Sequence, residues 1–310
     1  ADLSNSDKTD GFLKEKGSFK SGDFSGGFLQ AGVSELTMAA ILNGITLHGG
    51  ILAAGGTFFV FSDYMKPAIR TAALMELPVI YVWTHDAFRV GEDGPTHQPV
   101  EHEAQIRLME KLKNHSGRPS LLALRPADAA ETTAAWKLAI ENRTSPTALI
   151  MSRQNIADLP AASGNRCREA LQAARGAYIV EDCEGRPDIL FVASGSEVST
   201  MVGGAALLRK KGHKVRTVSV PSEGLFRSQD ESYQKSILPD GIPRLGFTAG
   251  LPVTLAGLLE QPIDAIFGLD SFGYSAPAGV LDEKLGFTAE NVLQQAESLL
   301  ASLSNPPACS

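Results

Sequence analysis

The feature that most constrains this chain is its alternation of two hydrophobic rhythms. Short, unbroken apolar runs occur at Leu77–Trp83 (LPVIYVW), Ser120–Pro126 (SLLALRP) and Thr147–Ser152 (TALIMS). Between them, at His102–Asn114 and Asp128–Asn142, apolar residues recur every three or four positions. Unbroken runs suit parallel strands covered on both faces, and the longer spacing suits amphipathic helices. Asp128, with Glu131 three residues on, marks a capped start for the second helix. The alternation resumes at Asp188–Gly195 (DILFVASG), a helical stretch over 197–211, His213–Pro221, Pro243–Gly250, Asp264–Asp270 and a closing helix near 288–301. This pattern predicts an α/β fold of two three-layer domains with mainly parallel sheets. A length of 310 residues agrees with two domains of about 150 each. The stretch 155–176 lacks a clear pattern, so the expected organisation is a domain over 1–155, a linker over 156–178 and a second α/β domain over 179–310.

Composition narrows the function classes. A net charge of −7 argues against nucleic acid as the main partner, because phosphate neutralisation needs clustered Lys and Arg. It leaves room for a small phosphorylated ligand. No apolar run has the length of a membrane span, so no membrane association is expected. Cys167, Cys183 and Cys309 fall in no metal-ligand spacing and read as free thiols in a reducing cytoplasm.

Open α/β sheets bind ligands beyond the carboxyl ends of their strands. The loop Thr84–Glu103 (THDAFRVGEDGPTHQPVEHE) begins where one predicted strand ends, and it holds three of the six histidines. Histidine exchanges protons near neutral pH, so His85 and His97 on either side of Glu92 and Asp93 suit a hydroxylated anionic substrate. A solvated turn is the plainer alternative. The spacing fits neither a helical ligand pair nor a calcium loop, and no metal site is assigned. Glu35 opens the apolar helical stretch within Ala31–Gly50, either as a charge favoured at a helix N-terminus or as a proton-exchanging group in an apolar pocket. Phe58, Phe61 and Tyr64 lie three apart, as core packing or as a wall for a flat heterocycle. Arg153 follows a predicted strand, where a guanidinium can grip a phosphate or simply face solvent. Ser196 in SGSEV reads as a helix cap.

Taken together, GTFFVFSDY, THDAFRVGEDGPTHQPVE, LRPAD, PTALIMSRQN and ASGSEV, in this order, resemble the transketolase family. The likeness covers almost the whole chain, as that family's pyrimidine-binding domain followed by its C-terminal domain. It implies thiamine-diphosphate-dependent transfer of a two-carbon ketol unit from a ketose phosphate (xylulose 5-phosphate) to an aldose phosphate (ribose 5-phosphate) in the pentose phosphate pathway. By resemblance, Glu35 matches the glutamate that hydrogen-bonds the cofactor's aminopyrimidine, and His97 the histidine beside the reacting carbons; these are the implied catalytic residues. Phe58, Phe61 and Tyr64 match the pyrimidine pocket, and Asp2 an aspartate near the thiazolium. Asp93 matches a carboxylate reading a sugar hydroxyl, while His85, Arg153 and Ser6 match groups at the substrate phosphate. His102 matches no catalytic position.

The chain departs from the family at Ser34 and Leu36, which flank Glu35 in place of Arg and of an aromatic residue or His, and at Gly246–Gly250 (GFTAG). The family's Mg²⁺-holding Gly-Asp-Gly…Asn motif has no equivalent, because GEDG stands in a different context. Mg²⁺ is therefore expected through a diphosphate-binding half, in a homodimer or a partner subunit, and the chain alone is expected to be inactive. A truncated transketolase or one subunit of a split enzyme would behave so. The alternatives are a related thiamine-diphosphate enzyme component, such as dihydroxyacetone synthase or a β-type ketoacid dehydrogenase subunit, and an inert dimerisation module.

Overall fold

In a computed structural model, residues 1–3, 11–259 and 263–304 are described, so Ser6 and Cys309 lie outside the described residues. The chain runs α1 (Gly11–Lys16), α2 (Glu35–His48), β1 (Ala54–Phe58), α3 (Ser62–Leu74), β2 (Ile80–Thr84), α4 (His102–Lys111), β3 (Leu122–Leu124), α5 (Ala129–Glu141) and β4 (Thr147–Ile150). It continues through α6 (Arg166–Ala170), β5 (Tyr178–Glu181), β6 (Ile189–Ala193), α7 (Glu197–Lys210), β7 (Val215–Ser219), α8 (Glu223–Arg227) and α9 (Glu231–Ile237). The last elements are β8 (Arg244–Phe247), β9 (Ala265–Phe267), α10 (Ala278–Leu285) and α11 (Ala289–Ser304). Among the described residues no helix is long and apolar enough to cross a membrane.

The first sheet has the order β1-β2-β4-β3 and is parallel throughout. Successive side chains of a strand point to opposite faces. Tyr81 and Trp83 of β2 therefore join Met38 of α2 and Met65 and Ile69 of α3 on one side. On the other, Ile80 and Leu149 meet Ala135 and Ala139 of α5. Both faces are apolar, which is why these strands read as unbroken runs. The second sheet has the order β5-β7-β6-β8-β9, with β5 antiparallel to β7 and the other pairs parallel. Phe191 and Phe247 face α7 and α11, while Leu190 and Val192 face the α8–α9 side. The expected α/β class with mainly parallel sheets is what the chain adopts.

Three features escaped the apolar pattern. The sequence of β1, AGGTF, contains two glycines that weaken its strand signal. Edge strand β5 is short and half-buried. Residues 166–175, read as part of a patternless linker, form α6 and a following 3₁₀ turn. Asn165 caps α6 by accepting from the Arg168 N–H at 3.0 Å, and Arg166 reaches Tyr178 Oη at 2.6 Å. Five helical residues are too few to show a period.

The cap on α5 forms as expected: Asp128 Oδ1 accepts from Glu131 N–H at 2.8 Å. The return bond differs, since Glu131 Oε2 accepts from Ala127 N–H at 2.8 Å and not from the cap residue itself. Ser196 makes no cap bond to the backbone of α7. Its hydroxyl instead donates to Glu197 Oε1 at 2.7 Å.

Candidate active site

In the first sheet, β2 is flanked by β1 and β4, with Phe58 beside Thr84 and Trp83 beside Ile150. The carboxyl ends of these three strands thus lie side by side, and each carries a candidate residue. Phe58 ends β1, His85 follows β2, and Arg153 lies three residues past β4. The short connection from α2 into β1 makes the two elements antiparallel, so Glu35, the first residue of α2, sits at this same end. Glu35 is buried at 8% exposure, whereas Leu36 beside it is exposed.

The aromatic residues and the histidines, far apart in sequence, form one continuous wall. The His85 ring stacks on Phe58 at 3.5 Å between centroids. Phe58 stacks on Phe61 at 5.9 Å, and Phe61 on Tyr64 at 6.1 Å. His97 stands edge-on to Phe61 at 5.3 Å and to Phe58 at 6.2 Å. Tyr64 is 63% exposed, so the end of this ring stack is open. Each histidine Nδ1 is engaged by the preceding threonine hydroxyl: Thr84 to His85 at 2.8 Å and Thr96 to His97 at 2.9 Å. His97 is half-buried, whereas His85 is buried at 2% exposure.

Asp2 bridges to Gly56, two residues before Phe58, and is buried against Gln30 as well. Asp93 is exposed in the turn between Gly91 and Gly94, and Arg153 is exposed too. The structure therefore brings Phe58, Phe61, Tyr64, His85 and His97 into one ring cluster, with Glu35 at the same end of the sheet and Asp2 bridged alongside β1, while Asp93 and Arg153 are exposed. His102 stands apart, at the start of α4. It is buried, with Nε2 3.1 Å from Asp63 Oδ2 and Nδ1 3.6 Å from Glu101 Oε2. These three side chains are close enough to share an ion, but Asp63 is already paired with Lys66 at 2.5 Å.

Sequence reasoning missed the polar network under this wall. Arg125, 1% exposed, donates to Asp86 Oδ2 at 2.7 Å and to the Ser194 carbonyl at 2.9 Å, and pairs with Glu197. Arg89 donates to Glu197 Oε1 at 3.1 Å and to Asp282 Oδ1 at 2.7 Å. Gly195, at φ 59°, gives room for this: a Cβ there would meet the Arg125 guanidinium at 2.7 Å. Burial pushes the Asp86 carboxyl above its usual range, and Arg125 offsets this only in part. Burial alone would raise Glu197 too, but Arg125 and Arg89 outweigh it and hold that carboxyl below its usual range. The signal available in sequence was an arginine directly after an apolar strand, in LRPAD, with its acidic partners 39 and 72 residues away.

Residues 1–158 match the family described as transketolase, pyrimidine binding domain, and residues 176–288 match the transketolase-like TK C-terminal domain. The chain is 44% identical over 301 residues to the transketolase of Halalkalibacterium halodurans, covering 97% of this chain and 43% of that protein. Against the transketolase of Geobacillus stearothermophilus it is 43% identical over 302 residues, with the same shares covered. The solved transketolase from Leishmania mexicana superimposes with a TM-score of 0.83 at 39% identity, over 95% of this chain and 41% of that one. The chain thus spans less than half the length of these relatives. A split gene transketolase described as an inactive β4 tetramer shares the fold, with a TM-score of 0.68 at 21% identity over 88% of its chain. Two domains matched in order, with this identity across nearly all of the sequence, show that the chain belongs to the transketolase family.

Proposed function

We propose that this chain supplies the pyrimidine-side half of a transketolase active site, which moves a two-carbon ketol unit from a ketose phosphate to an aldose phosphate. The observation that carries the reading is the aromatic–histidine wall at the sheet end where α2 begins with Glu35. It offers a ring stack open at Tyr64 and joined by two imidazoles, with the buried Glu35 at the same end of the sheet. That donor set fits an aminopyrimidine, which needs a flat apolar face and a carboxylate partner. Thiamine diphosphate, when bound there, supplies the nucleophile and electron sink for the transfer.

The chain's own groups do the rest. Phe58, Phe61 and Tyr64 would hold the heterocycle, and Asp2 would serve near the thiazolium. Glu35 holds a proton on the pyrimidine nitrogen. His97 exchanges a proton with the substrate hydroxyl beside the reacting carbons, and Asp93 accepts a hydrogen bond from a sugar hydroxyl. His85 and Arg153, together with Ser6, grip the substrate phosphate by charge-assisted bonds. Mg²⁺ and the cofactor's diphosphate are assigned to a diphosphate-binding half, whether in a homodimer or in a partner subunit. Val33, Leu36 and Leu47 are exposed apolar residues on or beside α2, which supports a protein surface covering that side. A cytoplasmic location is part of the same proposal.

The test is ketol transfer from xylulose 5-phosphate to ribose 5-phosphate, with thiamine diphosphate and Mg²⁺, by the chain alone and mixed with a separately expressed diphosphate-binding half. Activity in the mixture alone is the expected result. Turnover of a 2-oxo acid without any ketol transfer would replace this reading with a dehydrogenase component. In the active mixture, Glu35→Gln should lower kcat by about a hundredfold or more while the circular dichroism spectrum is unchanged. Near-normal turnover would remove Glu35 from its role.

A further inference from the structure

The acidic turn Gly91–His97 is held from the C-terminal half of the chain. Ser275 Oγ donates to the Glu92 carbonyl at 2.6 Å, across 183 residues of sequence. The Gln98 side chain, 2% exposed, sets Nε2 within hydrogen-bonding distance of the carbonyls of Phe88 at 3.0 Å, Gly91 at 3.1 Å and Tyr274 at 2.9 Å, three acceptors that share its N–H groups. The fit leaves no slack, because a Cβ at Gly273 would overlap Gln98 Oε1. Gln98 therefore ties the two ends of the loop to each other and to the segment 273–276, and Ser275 fixes the middle. Within the turn itself, Asp93 and Glu92 have exposed side chains, so its position rests on these backbone bonds.

Resting on the proposed function, we infer that Ser275 and Gln98 are positioning residues that set where Asp93 and His97 meet the sugar, making segment 273–276 a determinant of substrate affinity. They touch the loop and not the substrate. Their effect belongs in KM for the ketose phosphate and in loop mobility, with thiamine diphosphate affinity unmoved, since Glu35 and the ring stack lie on other elements.

The experiment uses the assembled pair of this chain and its diphosphate-binding half. Ser275→Ala should speed amide hydrogen exchange at residues 91–97 and raise KM for xylulose 5-phosphate about threefold to tenfold, as the loss of one hydrogen bond allows. Ser275→Thr, which keeps the hydroxyl, should restore both. In a pair already carrying Asp93→Ala, Ser275→Ala should raise KM less than it does alone. Gln98→Glu, which removes the N–H donors that these carbonyls share at nearly the same shape, should exceed Ser275→Ala in both readouts. Exchange at 91–97 unchanged by Ser275→Ala overturns the tether whether or not the enzyme is active. Faster exchange with unchanged KM in an active pair overturns the positioning role and leaves the function standing. An unsubstituted pair without ketol transfer counts against the proposed function, and the exchange measurement still decides the tether.

Discussion

His85 adopts φ 62°, a left-handed backbone that costs an L-residue with a β-carbon about 1–2 kcal/mol. Strain of this kind persists only where surroundings over-determine it, and here they do. The ring is pinned against Phe58, its Nδ1 meets Thr84, and the next residue, Asp86, is clamped by Arg125. A test separates strain from side-chain loss. His85→Ala and His85→Gly both delete the stacked ring, but only alanine keeps the penalty. The glycine variant should be the more stable by about 1 kcal/mol in urea unfolding, the reverse of the usual order in regular structure. Alanine as the more stable variant would mean that the backbone there is relaxed. The imidazole itself was legible in the sequence, because the loop THDAFRVGEDGPTHQPVE names it. The backbone twist was not, since no residue near His85 announces a positive φ except by the path the chain must take after β2.

At the scale of elements, α5 shows what local sequence can and cannot tell. Asp128 and the apolar period announced the helix and its start. The rest of the cap comes from afar: Asp128 Oδ2 accepts from the Leu159 N–H at 3.1 Å and from Arg166 Nε at 2.5 Å. Burial works against ionisation of Asp128, but Arg166 and the backbone N–H groups of Glu131 and Leu159 outweigh it and hold the carboxyl below its ordinary 3.8. A lowered folded-state value places the stabilisation above the ordinary value and removes it as pH falls through the lower one. Asp128→Ala should therefore cost about 2–4 kcal/mol at pH 7, from a lost cap and a lost charged hydrogen bond. The gap to the unsubstituted chain should hold down to about pH 5 and narrow below pH 4. Asp128→Asn, which caps without charge, should fall between them. A gap that stays constant to pH 3 would show that the charge on Asp128 contributes nothing.

At the scale of the whole chain, the alternation of strands and helices made two α/β halves legible but hid how they join. Apolar residues from the first half, among them Phe88, Val100 and Ala134, belong to the same buried cluster as Phe191 and Phe247 of the second. Their side chains looked like ordinary core, and nothing local says which core. The joint is more than apolar, because Arg125 stands among Asp86 of the loop after β2, Glu103 of α4 and Glu197 of α7. Desolvating these charges is costly, so the network adds little net stability over an apolar packing, but removing Arg125 takes away the guanidinium that holds the buried Asp86. Arg125→Met should accordingly destabilise the chain by about 3–5 kcal/mol in urea unfolding at pH 7. Asp86, raised by burial and left with no guanidinium in contact, should then titrate above its unfolded value, so its protonation favours the folded state, while Arg89 still holds Glu197. The deficit should shrink as pH falls from 7 towards 5, whereas an ordinary cavity would cost the same at both. Lysine in place of Arg125 keeps the charge but not the fork, and should give an intermediate loss. If Arg125→Met unfolds at the same urea concentration as the unsubstituted chain, the halves are held by the shared apolar cluster alone, and the charges beneath the histidine loop serve only to place it.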